Sequence, residues 1–96
     1  MKIGIEFVGF PVIYDLFPKG VHPYTLAGDT LLELVDDLIR KKGSRIQETL
    51  LDPGTQKLDP TIQISINEKF ISMDEIPQRK IVDGDHITFF RLLAGG

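Results

Sequence analysis

Lys2 to Val8 alternates between polar and apolar positions, with Ile3, Ile5 and Phe7 on one side. A period of two is that of a strand with one buried face, so the chain is expected to open with a half-buried strand. From Gly9 to Val21 the pattern is broken by Gly9, Pro11, Pro18 and Gly20, while Phe10, Val12, Ile13, Leu16 and Phe17 stay apolar. This spacing predicts an ordered loop with room for one helical turn. A second strand is expected over His22 to Ala27, with Pro23 placing its start at a sheet edge. Thr30 to Lys42 changes period. Leu31, Leu34, Val35, Leu38 and Ile39 fall at i, i+3, i+4, i+7 and i+8, one apolar stripe on a helix. Thr30 and Glu33 have capping-box spacing, Arg40 to Lys42 sit at the negative end of the dipole, and Gly43 is expected to supply a left-handed stop. Asp36 with Arg40 and Asp37 with Lys41 are i,i+4 pairs expected on the solvated face.

Between Gly43 and Pro60 the pattern leaves two readings. Ile46, Leu50 and Leu51 end a short helix or enter a short strand, and Asp52-Pro53-Gly54 is a turn in either case. Thr61 to Asn67 alternates with Ile62, Ile64 and Ile66 inward and predicts a strand. Asn67-Glu68 turns the chain, and Lys69 to Ile71 is positioned to pair briefly. Asp83-Gly84-Asp85 is a further turn signal. His86 to Phe90 then predicts the last strand, with Ile87 and Phe89 inward and Thr88 and Phe90 outward. Strands around one amphipathic helix imply an α+β domain, a mixed sheet of four to five strands packed on one main helix. Pairing the two most regular strands, first and last, at the sheet centre gives a β-grasp (ubiquitin-like) arrangement.

Ninety-six residues suit one domain, expected here as 1–91 with residues 92–96 as a flexible tail. Hydrophobic content of 42% and charged content of 26% are ordinary for a globular protein. No apolar run approaches the roughly 18 residues of a membrane span, and with a strand pattern from Lys2 onward no signal or transit peptide is expected. A net charge of −3 argues against nucleic acid and suits a partner with a basic face. The absence of Cys excludes disulfides, thiolate metal sites and Cys nucleophiles, and fits a cytoplasmic location. No Ser/His/Asp constellation has recognisable spacing. His22 and His86 stand apart from any ligand cluster, and Asp83 with Asp85 lack the other oxygen ligands of a calcium loop, so no metal is expected.

The sequence ends in Leu92-Leu93-Ala94-Gly95-Gly96. Two glycines carry nothing to pack and lose the most freedom if ordered. They suit a tail that threads a narrow channel and adopts whatever φ an active site demands. Ile64-Ser65-Ile66-Asn67, Asp83-Gly84-Asp85 with the Phe-containing strand after it, and Ala94-Gly95-Gly96 together resemble the MoaD/ThiS family of ubiquitin-like sulfur carriers. The resemblance is dense from Thr61 to Gly96 and looser over Lys2 to Lys42. Leu50-Leu51-Asp52, Gly54 and Leu58 also resemble the connecting hairpin of the longer, MoaD-like members, which are small subunits of molybdopterin synthase.

The resemblance implies a carrier that is not itself an enzyme and binds no cofactor. An adenylyltransferase of MoeB/ThiF type would use ATP to activate the Gly96 carboxylate. A sulfur donor would leave a thiocarboxylate, and an enzyme of MoaE type would accept the sulfur. Gly95 and Ala94 would give access, and Thr88, Phe90, Arg91, Leu92 and Leu93 would meet the partner. Two other roles stand beside this one: a protein modifier joined through Gly96 to lysines, and a binding subunit whose tail has no chemistry. Three features depart from the family pattern. Asn67-Glu68 replaces the common Asn-Gly and is expected to need a different turn geometry. Arg91 stands where proline is frequent, where it would meet a partner's acid or simply be solvated. Leu92-Leu93 adds an apolar pair before Ala94.

Overall fold

A computed structural model describes residues 1–91. Five strands form one mixed sheet in the order β2-β1-β5-β3-β4. The strands are β1 (Lys2–Val8), β2 (His22–Thr25), β3 (Ile62–Ile66), β4 (Lys69–Ile71) and β5 (His86–Arg91). β1 and β5 are parallel neighbours in the middle, with Ile5 opposite Ile87 and Phe7 opposite Phe89. All other pairs are antiparallel. β2 is an edge strand, as Pro23 required, and is shorter than expected, ending at Thr25.

The inward residues of β1, β3 and β5 join Leu31, Leu34, Val35 and Leu38 of α1 (Leu31–Lys42) and Ile46 and Leu50 of α2 (Ser44–Leu50) in one core. Phe7 is its hub. Its ring stacks on Phe89 at 4.9 Å and meets Phe17 at 4.9 Å and Phe10 at 5.6 Å. The irregular segment from Gly9 to Val21 thus contributes Phe10, Ile13 and Phe17 to the core, and its expected helical turn is a 3-10 turn at Pro11–Ile13. Residues 72–82 run past the start of α1, where Leu31 N–H donates to Arg79 O and Ile81 N–H to Asp29 O.

Several local expectations need correcting. Thr30 does cap α1 by accepting from Glu33 N–H at 3.1 Å, but the Glu33 carboxylate returns to the Thr30 hydroxyl at 2.9 Å. It does not return to the backbone. Gly43 has positive φ (88°) with ψ −161°, so it is an extended Gly-only hinge and no left-handed helical residue. It closes α1 and caps α2 at once. Ile46 to Leu51 satisfies both open readings: a short helix, then Leu51 in a bridge to Leu58. Asn67 and Glu68 have φ of 52° and 71°, the doubly positive pattern that an Asn-Gly hairpin turn also uses. The substitution therefore keeps a conformation in which Glu68 is strained.

Asp37 is not on the solvated face. It is only 5% exposed and accepts from the Tyr24 hydroxyl at 2.5 Å, tying α1 to the β2 edge. Arg40 and Lys41 reach it from solvent at 2.8 and 3.1 Å, and such largely exposed cations contribute little. The Tyr24 hydrogen bond, with help from Lys41 and Arg40, holds the Asp37 carboxyl below its usual range. Burial first, and then Asp37, pushes the Tyr24 hydroxyl above its own.

Two tests follow from these contacts. A carboxylate with a depressed folded pKa stabilises fully above its unfolded value, about 3.9 for Asp, and loses that support as pH falls through the folded value. Tyr24→Phe should cost about 1 kcal/mol at pH 7, with the gap to the parent narrowing below about pH 4; urea titrations across pH would show it. At Gly9, φ is +88° and an added Cβ would lie 2.4 Å from the Arg91 carbonyl oxygen, whereas Gly20, with φ +112°, faces open space. Gly9→Ala should therefore cost about 3 kcal/mol and Gly20→Ala about 1, read from the same unfolding curves.

Candidate functional site

The start of β5 is fixed by the Asp83-Gly84-Asp85 turn. Asp83 accepts from Lys2 N–H at 2.7 Å, Gly84 N–H donates to Lys2 O at 2.8 Å, and Asp85 O accepts from Gly4 N–H at 2.9 Å. The buried Asp85 carboxylate also accepts from the Asn67 amide and from Val82 N–H, each at 2.9 Å. These aspartates do more than turn the chain. They align β5 beside β1 and hold the β3–β4 turn against both.

From that start, alternation along β5 sorts the predicted contact residues. Ile87 and Phe89 are fully buried in the core, and Thr88 and Phe90 lie on the opposite face. That face contributes none of the residues of the core cluster. It carries an open groove lined by Glu6 and Val8 from β1, Ser65 from β3, Glu68 and Phe70 at and after the turn, and His86, Thr88 and Phe90 from β5. Phe90 is half-buried, and the ring beside it is Phe70 at 5.4 Å. The Gly9 to Val21 segment does not cover it, because Phe10, Ile13 and Phe17 face the core. Thr88 points outward yet is only 6% exposed, since the central strand is flanked on both sides; it forms the floor of the groove and not its rim. The rim is Phe70, 64% exposed, and Val8, 40% exposed. His86 Nε2 lies 3.2 Å from Glu6 Oε1.

Val8, Phe70, Glu6 and His86 were not among the expected contact residues. The signal for Phe70 was available: with Ile71 taken as inward, alternation turns Phe70 out beside Phe90.

Arg91 is not the simply solvated cation that one expectation gave it. Its side chain returns to the covered face, where the guanidinium donates to Thr49 O at 2.8 Å and to Asp59 Oδ2 at 3.2 Å and lies over the Phe10 ring at 5.1 Å. Paired within its own chain, it is not a free solvated cation, and 27% of its side chain remains exposed. The Thr61 backbone and hydroxyl donate to Asp59, and with Arg91 they hold its carboxyl below the usual range. The predicted Leu92, Leu93, Ala94, Gly95 and Gly96 lie outside the described residues. No group of three His, Cys, Asp or Glu side chains is placed to hold a metal among the described residues. No helix there is long and apolar enough to cross a membrane.

No family profile matches the chain, and no curated protein does. Solved structures do. Small archaeal modifier protein 1 from Methanosarcina acetivorans is 18% identical with a TM-score of 0.75, over 99% of this chain and 96% of that one. CysO, an antigen of Mycobacterium tuberculosis, is 24% identical with a TM-score of 0.70, over 95% and 99%. Urm1 from Trypanosoma brucei is 23% identical with a TM-score of 0.65, over 99% and 95%. The chain has the β-grasp, ubiquitin-like fold that these proteins share.

The two faces of the sheet should respond differently to the same chemistry. Phe89→Ala should cost about 4 kcal/mol, as a large ring leaves the core. Phe70→Ser should stay within about 0.5 kcal/mol of the parent. Chemical denaturation of both variants checks the assignment of faces.

Proposed function

We propose that the protein is a sulfur carrier whose reacting group is the Gly96 carboxylate. The observation that supports this most is the continuity of the chain: the central strand of a β-grasp sheet runs directly into Leu92-Leu93-Ala94-Gly95-Gly96. A carboxylate resists attack because resonance and charge both protect its carbon. A partner adenylyltransferase of ubiquitin-activating type would form the bond between the Gly96 carboxylate oxygen and the α-phosphorus of ATP, releasing pyrophosphate. A sulfur donor then attacks the acyl carbon, AMP leaves, and a thiocarboxylate remains. Its sulfur is delivered within an accepting enzyme. The finer reading is molybdenum or tungsten cofactor assembly, with a large subunit of molybdopterin-synthase type as acceptor.

In this scheme the domain supplies presentation and its partners supply catalysis. Phe90, Phe70 and Val8 provide an apolar anchor on the open face, since exposed aromatics commonly dominate interface energy. Glu6 and Glu68 beside them suit the basic partner surface that the net charge of −3 also favours. A second reading, conjugation of Gly96 to lysines, is favoured by one comparison: the similar structure from Methanosarcina acetivorans is a small archaeal modifier protein.

The test is intact mass after incubation with ATP, a sulfide source and an adenylyltransferase already shown competent on its own carrier. Exchange of one oxygen for sulfur at the C-terminus is expected, and its loss when Gly95 and Gly96 are deleted. Phe90→Ser together with Phe70→Ser should raise KM at least tenfold while the fold persists. No activation of the parent protein would sink the carrier and the modifier alike. Peptides bearing Gly96 on lysine would favour the modifier.

A further inference from the structure

Arg91 is the last described residue, and three parts of the fold hold its side chain. Its guanidinium is tied to Thr49 O and Asp59 and rests on Phe10. Its carbonyl lies against Gly9, where φ is +88° and a Cβ would come within 2.4 Å of that oxygen. The side-chain contacts come from α2, from the turn ahead of β3 and from the loop after β1; the backbone contact comes from the first residue of that same loop. None of these groups touches the open groove. A charged side chain directed inward at the end of a strand is unusual, and here its charge is met by a carboxylate whose other bonds go to Thr61.

We propose that Arg91 is a positioning residue: this clamp fixes the root from which the chain continues to Gly96, and it withholds the arginine side chain from proteases that must engage it before cutting the Arg91–Leu92 bond. The positioning half rests on the sulfur-carrier reading; the protease half does not. Five residues span at most about 17 Å, so a fixed root keeps the Gly96 carboxyl within that radius. If the clamp opened and Phe90 and Arg91 peeled away, the radius would grow by about 7 Å. The volume searched would rise roughly threefold, and the effective concentration at a docked active site would fall accordingly. Loss of a preferred direction would reduce productive encounters further. A trypsin-like protease needs a free cationic side chain, so cutting at Arg91 samples the open state of the clamp in proportion to its population.

The experiment uses the full chain. Trypsin is added under native conditions, and appearance of the 1–91 product is followed by mass beside cuts at other Lys and Arg bonds. Asp59→Asn keeps an acceptor for Thr61 N–H but removes the charge facing Arg91. Arg91→Lys keeps a trypsin site while losing the planar fork. In either variant, cleavage after position 91 should accelerate about tenfold, with other bonds unchanged. Equal rates in parent and variants would overturn the proposal. So would uniform acceleration at every site, which would assign the contacts to global stability alone.

A second arm measures activation by a competent adenylyltransferase: Arg91→Met and Arg91→Lys should lower kcat about five- to tenfold with KM within about twofold. Unchanged kcat would overturn the positioning role. A parent that is never activated would remove the carrier reading, and the protease arm would still decide the clamp.

Discussion

The parallel pairing of β1 with β5, closed on its covered side by the stack of Phe7 on Phe89, is the interaction on which the rest of the molecule depends. A parallel pair cannot be joined by a tight turn, so nearly the whole chain between Val8 and His86 serves as its connection. Phe10, Phe17, α1 and α2 cover one side of the pair. The same register sets Glu6 beside Thr88 and Val8 beside Phe90 on the other side, so the apolar rim of the groove follows from the core pairing. It needs no separate device.

The two ends of that pair are fastened by different chemistry. At its start, Asp83 to Asp85 use backbone and carboxylate groups to hold β1, β5 and the turn after β3 together. At its finish, the strands diverge. Gly9 turns aside with a positive φ while β5 continues to Arg91, which is tied to α2 and Asp59. Beginning and end are therefore both specified, and the central strand points in one direction.

Alternation and helical period made most of the fold legible. Ile3, Ile5 and Phe7, the three isoleucines of β3, Ile87 with Phe89, and the stripe of α1 all pack as their spacing indicated. The failures are instructive because each is a tertiary contact at a position whose local pattern reads as polar. Asp37 belongs to the wet side by charge, yet Tyr24, thirteen residues earlier, gives it a partner beneath the surface. Arg91 reads as solvated until Asp59 and Thr49 are brought to it across the core. Thr88 faces outward as alternation required, and only the presence of strands on both sides explains its burial.

The turn at Asn67-Glu68 has a bearing on chemical ageing. Asparagine side chains are lost when the next backbone nitrogen attacks the amide carbon to form a cyclic imide, and glycine in the next position leaves that nitrogen most accessible. Here Glu68 shields it, at the cost of a left-handed backbone at a residue with a Cβ. The Asn67 amide is further immobilised: its nitrogen donates to Asp85 and its oxygen accepts from His86 N–H, each at 2.9 Å. Conversion to aspartate would set two carboxylates against each other at the staple of β1, β3 and β5. A strained glutamate thus protects the joint that would suffer most from an ordinary spontaneous decay.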